Sequence, residues 1–249
     1  MTIVIAVYIT LIGLVLGSFY NVVGLRVPVK ESLVSPPSHC PSCGTRLAGR
    51  DLIPVLSLLL ARGKCRHCGS KVSLLYPLGE LATGLLFLWI YLEFGISFKG
   101  LTGLLLVSLS VIITVSDLKY MRIPNQVLLF FLPPLVLLVL LAPNGPLWSH
   151  LLGAICGGVV IFVLALFGGM GMGDAKLFAL LGWVIGFKDT VLAFLLACAL
   201  GSCVYGLLLL LGKVKRGQPV PFGPWLAAGA LLAFSYGSHL IGGYLALIR

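Results

Sequence analysis

Charge is what this 249-residue chain has least of: 10% of its residues are charged and 59% are hydrophobic. A soluble domain carries about 25% charged residues, so a soluble globular enzyme is excluded. The apolar surplus also excludes a disordered chain. Such a composition demands lipid as its solvent. Acids are scarcer still, 7 against 17 Lys and Arg, for a net charge of +10. In a soluble protein that surplus would suggest nucleic acid. Here it reads as the Lys and Arg bias of cytoplasmic loops, and no nucleic-acid partner is expected. No basic region precedes the first apolar run, which is the layout of an N-outside signal anchor and not of a cleaved leader. There is no internal repeat, no low-complexity tract and no Rossmann-type glycine loop.

What is present is a series of long apolar runs. Stretches 3–24, 74–94, 100–116, 125–142, 150–169, 175–187, 190–211 and 225–247 predict about eight transmembrane helices, an all-α polytopic membrane protein. Outer-membrane barrels are excluded, because their strands alternate over about 10 residues. The sixth stretch is short, with Gly186 near its end, and is expected to enter the membrane only partly. With the N-terminus outside, segment 25–73 carries eight Lys and Arg on the inner side. Lys119, Arg122, Lys176, Lys213, Lys215 and Arg216 bring the inner total to fourteen, against Lys99, Lys188 and Arg249 outside. That asymmetry predicts a periplasmic N-terminus and a cytoplasmic 25–73 segment. Three units follow: a first transmembrane helix (1–24), a cytoplasmic loop domain (25–73) and a seven-helix membrane domain (74–249).

The loop domain is too short to build much of a core, so a metal staple is expected. Cys40-Pro-Ser-Cys43 and Cys65-Arg-His-Cys68, separated by 21 residues, form a double C-x-x-C pattern typical of structural zinc. Gly44 and Gly69 follow the second Cys of each pair, where a knuckle needs a permissive backbone. Lys64 and Arg66 flank the thiolates and offset their charge. His39 or His67 can replace a Cys ligand, though four Cys are favoured, and four unrelated thiols remain the bland alternative. Cys156, Cys198 and Cys203 lie in spans and are expected to pack.

Two acids sit at span ends. Asp117 closes the third stretch, and Asp174 opens the sixth in Gly171-Met172-Gly173-Asp174. Carboxylates at membrane depth cost about 2.5–3.5 kcal/mol on insertion scales. Two spans separate them, so both lie at the same face however the chain is inserted. Such a pair can share one proton, one carboxylate activating water and one acid polarising a carbonyl. The alternative is two interfacial acids paired with Lys119 and Lys176. Gly17, Asn21 and Gly24 share one helix face, which suits helix packing. Glu80, about two turns into the second span, is a functional candidate by default; the alternative is pairing with Arg26 or another basic residue. Glu93 and Asp189, at the outer ends, read as solvated.

Further motifs complete the order: Gly17-Ser18-Phe19-Tyr20-Asn21-Val22 with Arg26 and Pro28, Ile53-Pro54-Val55-Leu56-Ser57, Tyr76-Pro77-Leu78-Gly79-Glu80, Ile123-Pro124-Asn125 after Asp117, Gly171 to Lys176, and Pro219-Val220-Pro221-Phe222-Gly223-Pro224. Over nearly its whole length the chain resembles the type IV prepilin leader peptidases, bifunctional peptidases and N-methyltransferases of type IV pili and type II secretion. The resemblance implies a multi-pass protein of the bacterial inner membrane and an aspartic peptidase with Asp117 and Asp174 as catalytic acids. It implies cleavage of prepilins or pseudopilins on the cytoplasmic side, after the Gly ending a basic leader. It also implies methylation of the new N-terminal residue, usually Phe, with S-adenosylmethionine. The Cys-bearing loop goes with the methyltransferase-competent branch. Gly63 and Lys64 match positions associated with methyl transfer, and Glu80 and Asn21 join them as candidates around the methyl donor. Other readings are a peptidase alone, a non-enzymatic transporter or scaffold, and a presenilin-like protease sharing Gly-x-Gly-Asp. The Cys loop and the Pro219–Pro224 motif argue against the last.

Overall fold

Hydrocarbon offers no hydrogen-bond partner to the backbone, so a spanning segment must satisfy its own amides as a helix. The computed structural model of the chain describes residues 2–215 and 217–248. Arg216 and Arg249, both in the charge count, lie outside the described residues. The helices are α1 (Thr2–Arg26), α2 (Leu56–Leu60), α3 (Leu75–Phe94), α4 (Phe98–Tyr120), α5 (Asn125–Leu141), α6 (Leu147–Leu166), α7 (Met172–Ile185), α8 (Phe187–Leu210) and α9 (Gly223–Ile248). Each predicted stretch corresponds to one of them; the five-residue α2, inside the loop segment, matches none. Among the described residues there is no strand, only the isolated bridges His39–Arg46 and Lys64–Lys71.

Six helices (α1, α3, α4, α6, α8 and α9) are long and apolar enough to cross a membrane. Helix α5 is apolar but has 17 residues. Helix α7, with 14 residues, is about 21 Å long and falls short of a hydrocarbon core about 30 Å thick. Gly186, at φ +83°, is the single residue between α7 and α8. Ser97 caps α4 by accepting from Gly100 N–H at 3.0 Å.

Helix α4 is the axis of the bundle, with 72% of its most apolar window buried, against 17% in α1 and in α8. Small residues let the other helices close on it and on each other. A methyl group at Gly17 would stand 2.9 Å from the Glu80 Cα, and one at Gly24 would stand 2.8 Å from the Val115 Cγ1. Thus α1 lies against α3 through Gly13, Gly17 and Gly79, and against α4 through Gly24. Gly153 and Gly182 face each other backbone to backbone and fix α6 on α7. The opposite face of α1, with Ile3, Val7, Leu11 and Val15, is exposed, as a lipid-facing surface requires.

Two expectations need correction. Asp189 is half-buried, not solvated, because its carboxylate packs against the Cβ-less Gly237 of α9. Cys203 is exposed on α8 and does not pack inside. Glu93 is exposed as expected.

The Gly153–Gly182 contact leaves no room for a side chain, while a methyl group at Gly206 meets nothing within 4 Å. Gly182→Val should therefore cost about 1–3 kcal/mol through overpacking. Gly206→Ala should cost nothing. Thermal unfolding of the detergent-solubilised protein measures both.

Candidate active site and metal centre

Asp117 lies in the last turn of α4, not beyond its end. Its backbone carbonyl accepts Met121 N–H at 2.8 Å, where Met121 turns left-handed at φ +51°. Ser116 Oγ donates to the carbonyl of Arg122. These bonds fold the chain sharply back toward α5. The first turn of α7 rests on that turn: a methyl group at Gly173 would be 2.9 Å from the Ile123 Cβ. Lys176 Nζ donates to Asn125 Oδ1 at 3.1 Å. The seat brings Asp174, in the first turn of α7, to the same end of the bundle as Asp117, in the last turn of α4.

Both acids are buried, at 5% and 8% exposure. Asp117 Oδ2 accepts Gly223 N–H at 2.9 Å, from the first residue of α9. Asp174 Oδ2 accepts Gly171 N–H at 3.0 Å, and its Oδ1 is buried without a partner. The site therefore gathers α4, the turn after it, α7 and the start of α9. This role of Gly223, whose partner lies 106 residues away, is not signalled by anything local in the Pro219–Pro224 motif. Its glycine is needed because a side chain would meet Asp117 Oδ2 at 2.9 Å. The alternative pairing of these acids with Lys119 and Lys176 is not formed among the described residues; the ion pair present there is Arg66 Nε with Asp51 Oδ1 at 3.5 Å.

The four knuckle cysteines do converge. The Sγ atoms of Cys40, Cys43, Cys65 and Cys68 all lie within 4.8 Å of one another, with Cys40 and Cys68 at 3.9 Å. Tetrahedral zinc at about 2.3 Å from each sulfur implies sulfurs about 3.8 Å apart, so the donor set fits. The two halves repeat one design. Cys40 N–H donates to Thr45 O and Gly44 N–H to Cys40 O; Cys65 N–H donates to Ser70 O and Gly69 N–H to Cys65 O. Gly44 and Gly69 stand at φ +69° and +71°, the left-handed region that glycine enters freely. Backbone N–H groups of Cys43 and Ser42 point at Cys40 sulfur and pull its thiol down to about 6, which favours the ligating thiolate. His39 turns away, its Nδ1 on Pro37 O at 3.0 Å. Arg66, expected to offset the thiolates, instead pairs with Asp51.

Glu80 is buried and its Oε2 accepts Val55 N–H at 2.8 Å. The alternative pairing with Arg26 is not formed, since Arg26 Nη1 donates to Ser32 O. Val55 is unusual, at φ +60°, ψ −49°, with Leu56 N–H on Pro54 O at 2.6 Å. That is a γ-turn of the rare, positive-φ kind. It strains a β-branched residue by about 1–3 kcal/mol and persists only where neighbours impose it. The buried carboxylate is that neighbour, and it ties the loop segment to α3. Asn21 Nδ2 donates to Tyr76 O at 2.9 Å, its Oδ1 lying over Gly79 without a partner. Asn21 and Glu80 thus face the α1–α3 contact, whereas Gly63 (φ +71°) and exposed Lys64 lie on the approach to the second knuckle. The four residues expected around a methyl donor come from α1, α3 and the loop segment between them.

Protein purified without chelators should carry about one zinc per chain. Cys40→Ser or chelation should speed hydrogen exchange across residues 39–71 while the membrane helices keep their protection. Elemental analysis and exchange mass spectrometry check both. Glu80→Ala should leave Val55 N–H unsatisfied, at a cost of about 1–3 kcal/mol. Residues 53–57 should then exchange faster, and Glu80→Gln, which keeps an acceptor, should restore their protection.

Residues 11–94 match the bacterial peptidase A24 N-terminal domain, and residues 104–207 match the type IV leader peptidase family. The chain is 41% identical to a prepilin leader peptidase/N-methyltransferase of Bacillus subtilis (strain 168) over 235 residues, 94% of this chain and 95% of that protein. Proteins of the same name from Xanthomonas campestris pv. campestris (34% identical; 94% of this chain, 92% of that protein) and Stutzerimonas stutzeri (32%; 96% and 93%) are similar end to end. No solved structure matches the chain. With similarity of this extent, and both domain matches in order, the chain belongs to the type IV leader peptidase family.

Proposed function

We propose that the chain removes the basic leader of type IV prepilins or type II secretion pseudopilins. It cuts after Gly at the cytoplasmic membrane face and methylates the new N-terminal residue, usually Phe. The meeting of Asp117 and Asp174 at one end of the bundle carries the peptidase half. Two neighbouring carboxylates share one proton, because like charges resist joint ionisation. The ionised member takes a proton from water, and the water oxygen bonds to the scissile carbonyl carbon. The protonated member donates to the carbonyl oxygen. The tetrahedral intermediate then expels the amine, which leaves with a proton from the dyad. Asp174 Oδ1, buried without a partner, is assigned to the water or the substrate carbonyl. Gly223 N–H holds Asp117 in place.

The fourteen-to-three division of Lys and Arg supports a cytoplasmic site. Zinc held by Cys40, Cys43, Cys65 and Cys68 would be structural, since four thiolates leave no open position. The methyl donor proposed is S-adenosylmethionine, which supplies an electrophilic methyl group. Its support is the family resemblance and the relatives' names, with Gly63, Lys64, Glu80 and Asn21 as the residues offered. The second reading is a peptidase alone, with the four-Cys module a purely structural element.

Asp117→Asn and Asp174→Asn should each lower leader cleavage by about 10²–10⁴-fold, because Asn can neither take nor give the proton. Both should spare methylation of a pre-cleaved pilin, since methyl transfer needs mainly alignment. Product mass after incubation with prepilin, and separately with pre-cleaved pilin plus S-adenosylmethionine, reads both activities. Wild-type protein that trims the leader but adds no methyl group would select the second reading.

A further inference from the structure

Helices α3 and α9 are joined by Trp89 Nε1, which donates to Tyr236 Oη at 2.9 Å, with the rings 5.9 Å apart. Between this bridge and the carboxylate end lies a cavity of about 480 Å³, walled by α3 and α9 and floored by α4. We propose that this groove seats the apolar helix of the substrate, its N-terminal end held beside Asp117. The proposal rests on the peptidase reading above and adds where the substrate lies.

Four observations point to a helix. The first is continuity with the site. Leu118 and Pro224 line the groove; each is the chain neighbour of Asp117 or Gly223, the pair joined by the 2.9 Å hydrogen bond. The second is length. The α3 lining runs from Leu75 to Trp89, about 21 Å at 1.5 Å per residue, which seats about four turns of a helix. The third is the lining itself. Among the leucines and valines of the lining, Ala82, Thr114, Ala227 and Ala228 are small, the residue types that let a helix backbone approach closely in lipid. The fourth is access. Leu78 and Leu118 are 60% and 51% exposed, so a helix already in the bilayer can enter sideways.

The groove also holds an unused polar group. Ser110 lines it, and its Oγ is buried without a partner. A helix bearing a hydroxyl or carboxyl group at that depth can bond to it; an acyl chain cannot. The groove also gives the helix a direction: the Trp89–Tyr236 bridge closes one end, and Leu118 and Pro224, the neighbours of Asp117 and Gly223, line the other.

The test compares two substrates: full-length prepilin in vesicles, and a short soluble peptide spanning the cleavage site but lacking the apolar helix. Ala228→Phe and Ala82→Phe should lower kcat/KM for prepilin by about tenfold or more and leave the peptide's value unchanged. Wild-type rates on both substrates would overturn the groove while leaving the peptidase reading standing. Wild-type protein that cleaves neither substrate would overturn both. Independently of those variants, a photo-crosslinking residue at Leu78 in Asp117→Asn protein should capture the apolar helix of uncleaved prepilin. Adducts with lipid alone would overturn the proposal.

Discussion

Hydrocarbon cannot hydrogen-bond, and that single constraint organises this molecule. Each buried polar side chain must find a protein partner or remain available for chemistry. Many find one locally: Thr83, Thr102, Ser108 and Thr190 each donate to the carbonyl four residues earlier. Others bind elements together, as Tyr20 Oη does on Ser108 Oγ at 2.8 Å, joining α1 to α4. A few are left without one, among them Oδ1 of Asp174, Oδ1 of Asn21 and Oγ of Ser110.

The same constraint explains why glycine carries so much of the packing. Without a hydrophobic drive between helices in lipid, association depends on close contact. Gly17, Gly24, Gly153 and Gly182 allow it. Gly223 does something different, since its missing side chain lets a backbone N–H reach a carboxylate. Packing and site chemistry thus draw on one property of one residue type.

Outside the bundle the logic changes. Residues 38–71 have little apolar core, and order there comes from two repeated Cys turns, the Arg66–Asp51 pair and the hold of Glu80 on Val55. Glu80 stands at the junction of both regimes. Its carboxylate is buried on the bundle side, yet its partner belongs to the loop.

The sequence alone determined the eight apolar helices of the bundle, though not the short α2, together with the four-Cys cluster and the placing of Asp117 and Asp174 at one end. Each depends on local rules: apolar run length, C-x-x-C spacing, and the parity of crossings between two acids. These rules survive folding because lipid and thiolate chemistry leave few alternatives. What depends on distant residues was not legible. Asp189 reads as an end-of-helix acid, but Gly237, 48 residues on, makes a pocket for it. Glu80 reads as an isolated intramembrane charge, and nothing in its own helix points to the amide of Val55. The amide of Gly223 reaches Asp117 across 106 residues. Only the tertiary structure decided these contacts, because a hydrogen bond or a vacant Cβ position is a property of two surfaces brought together.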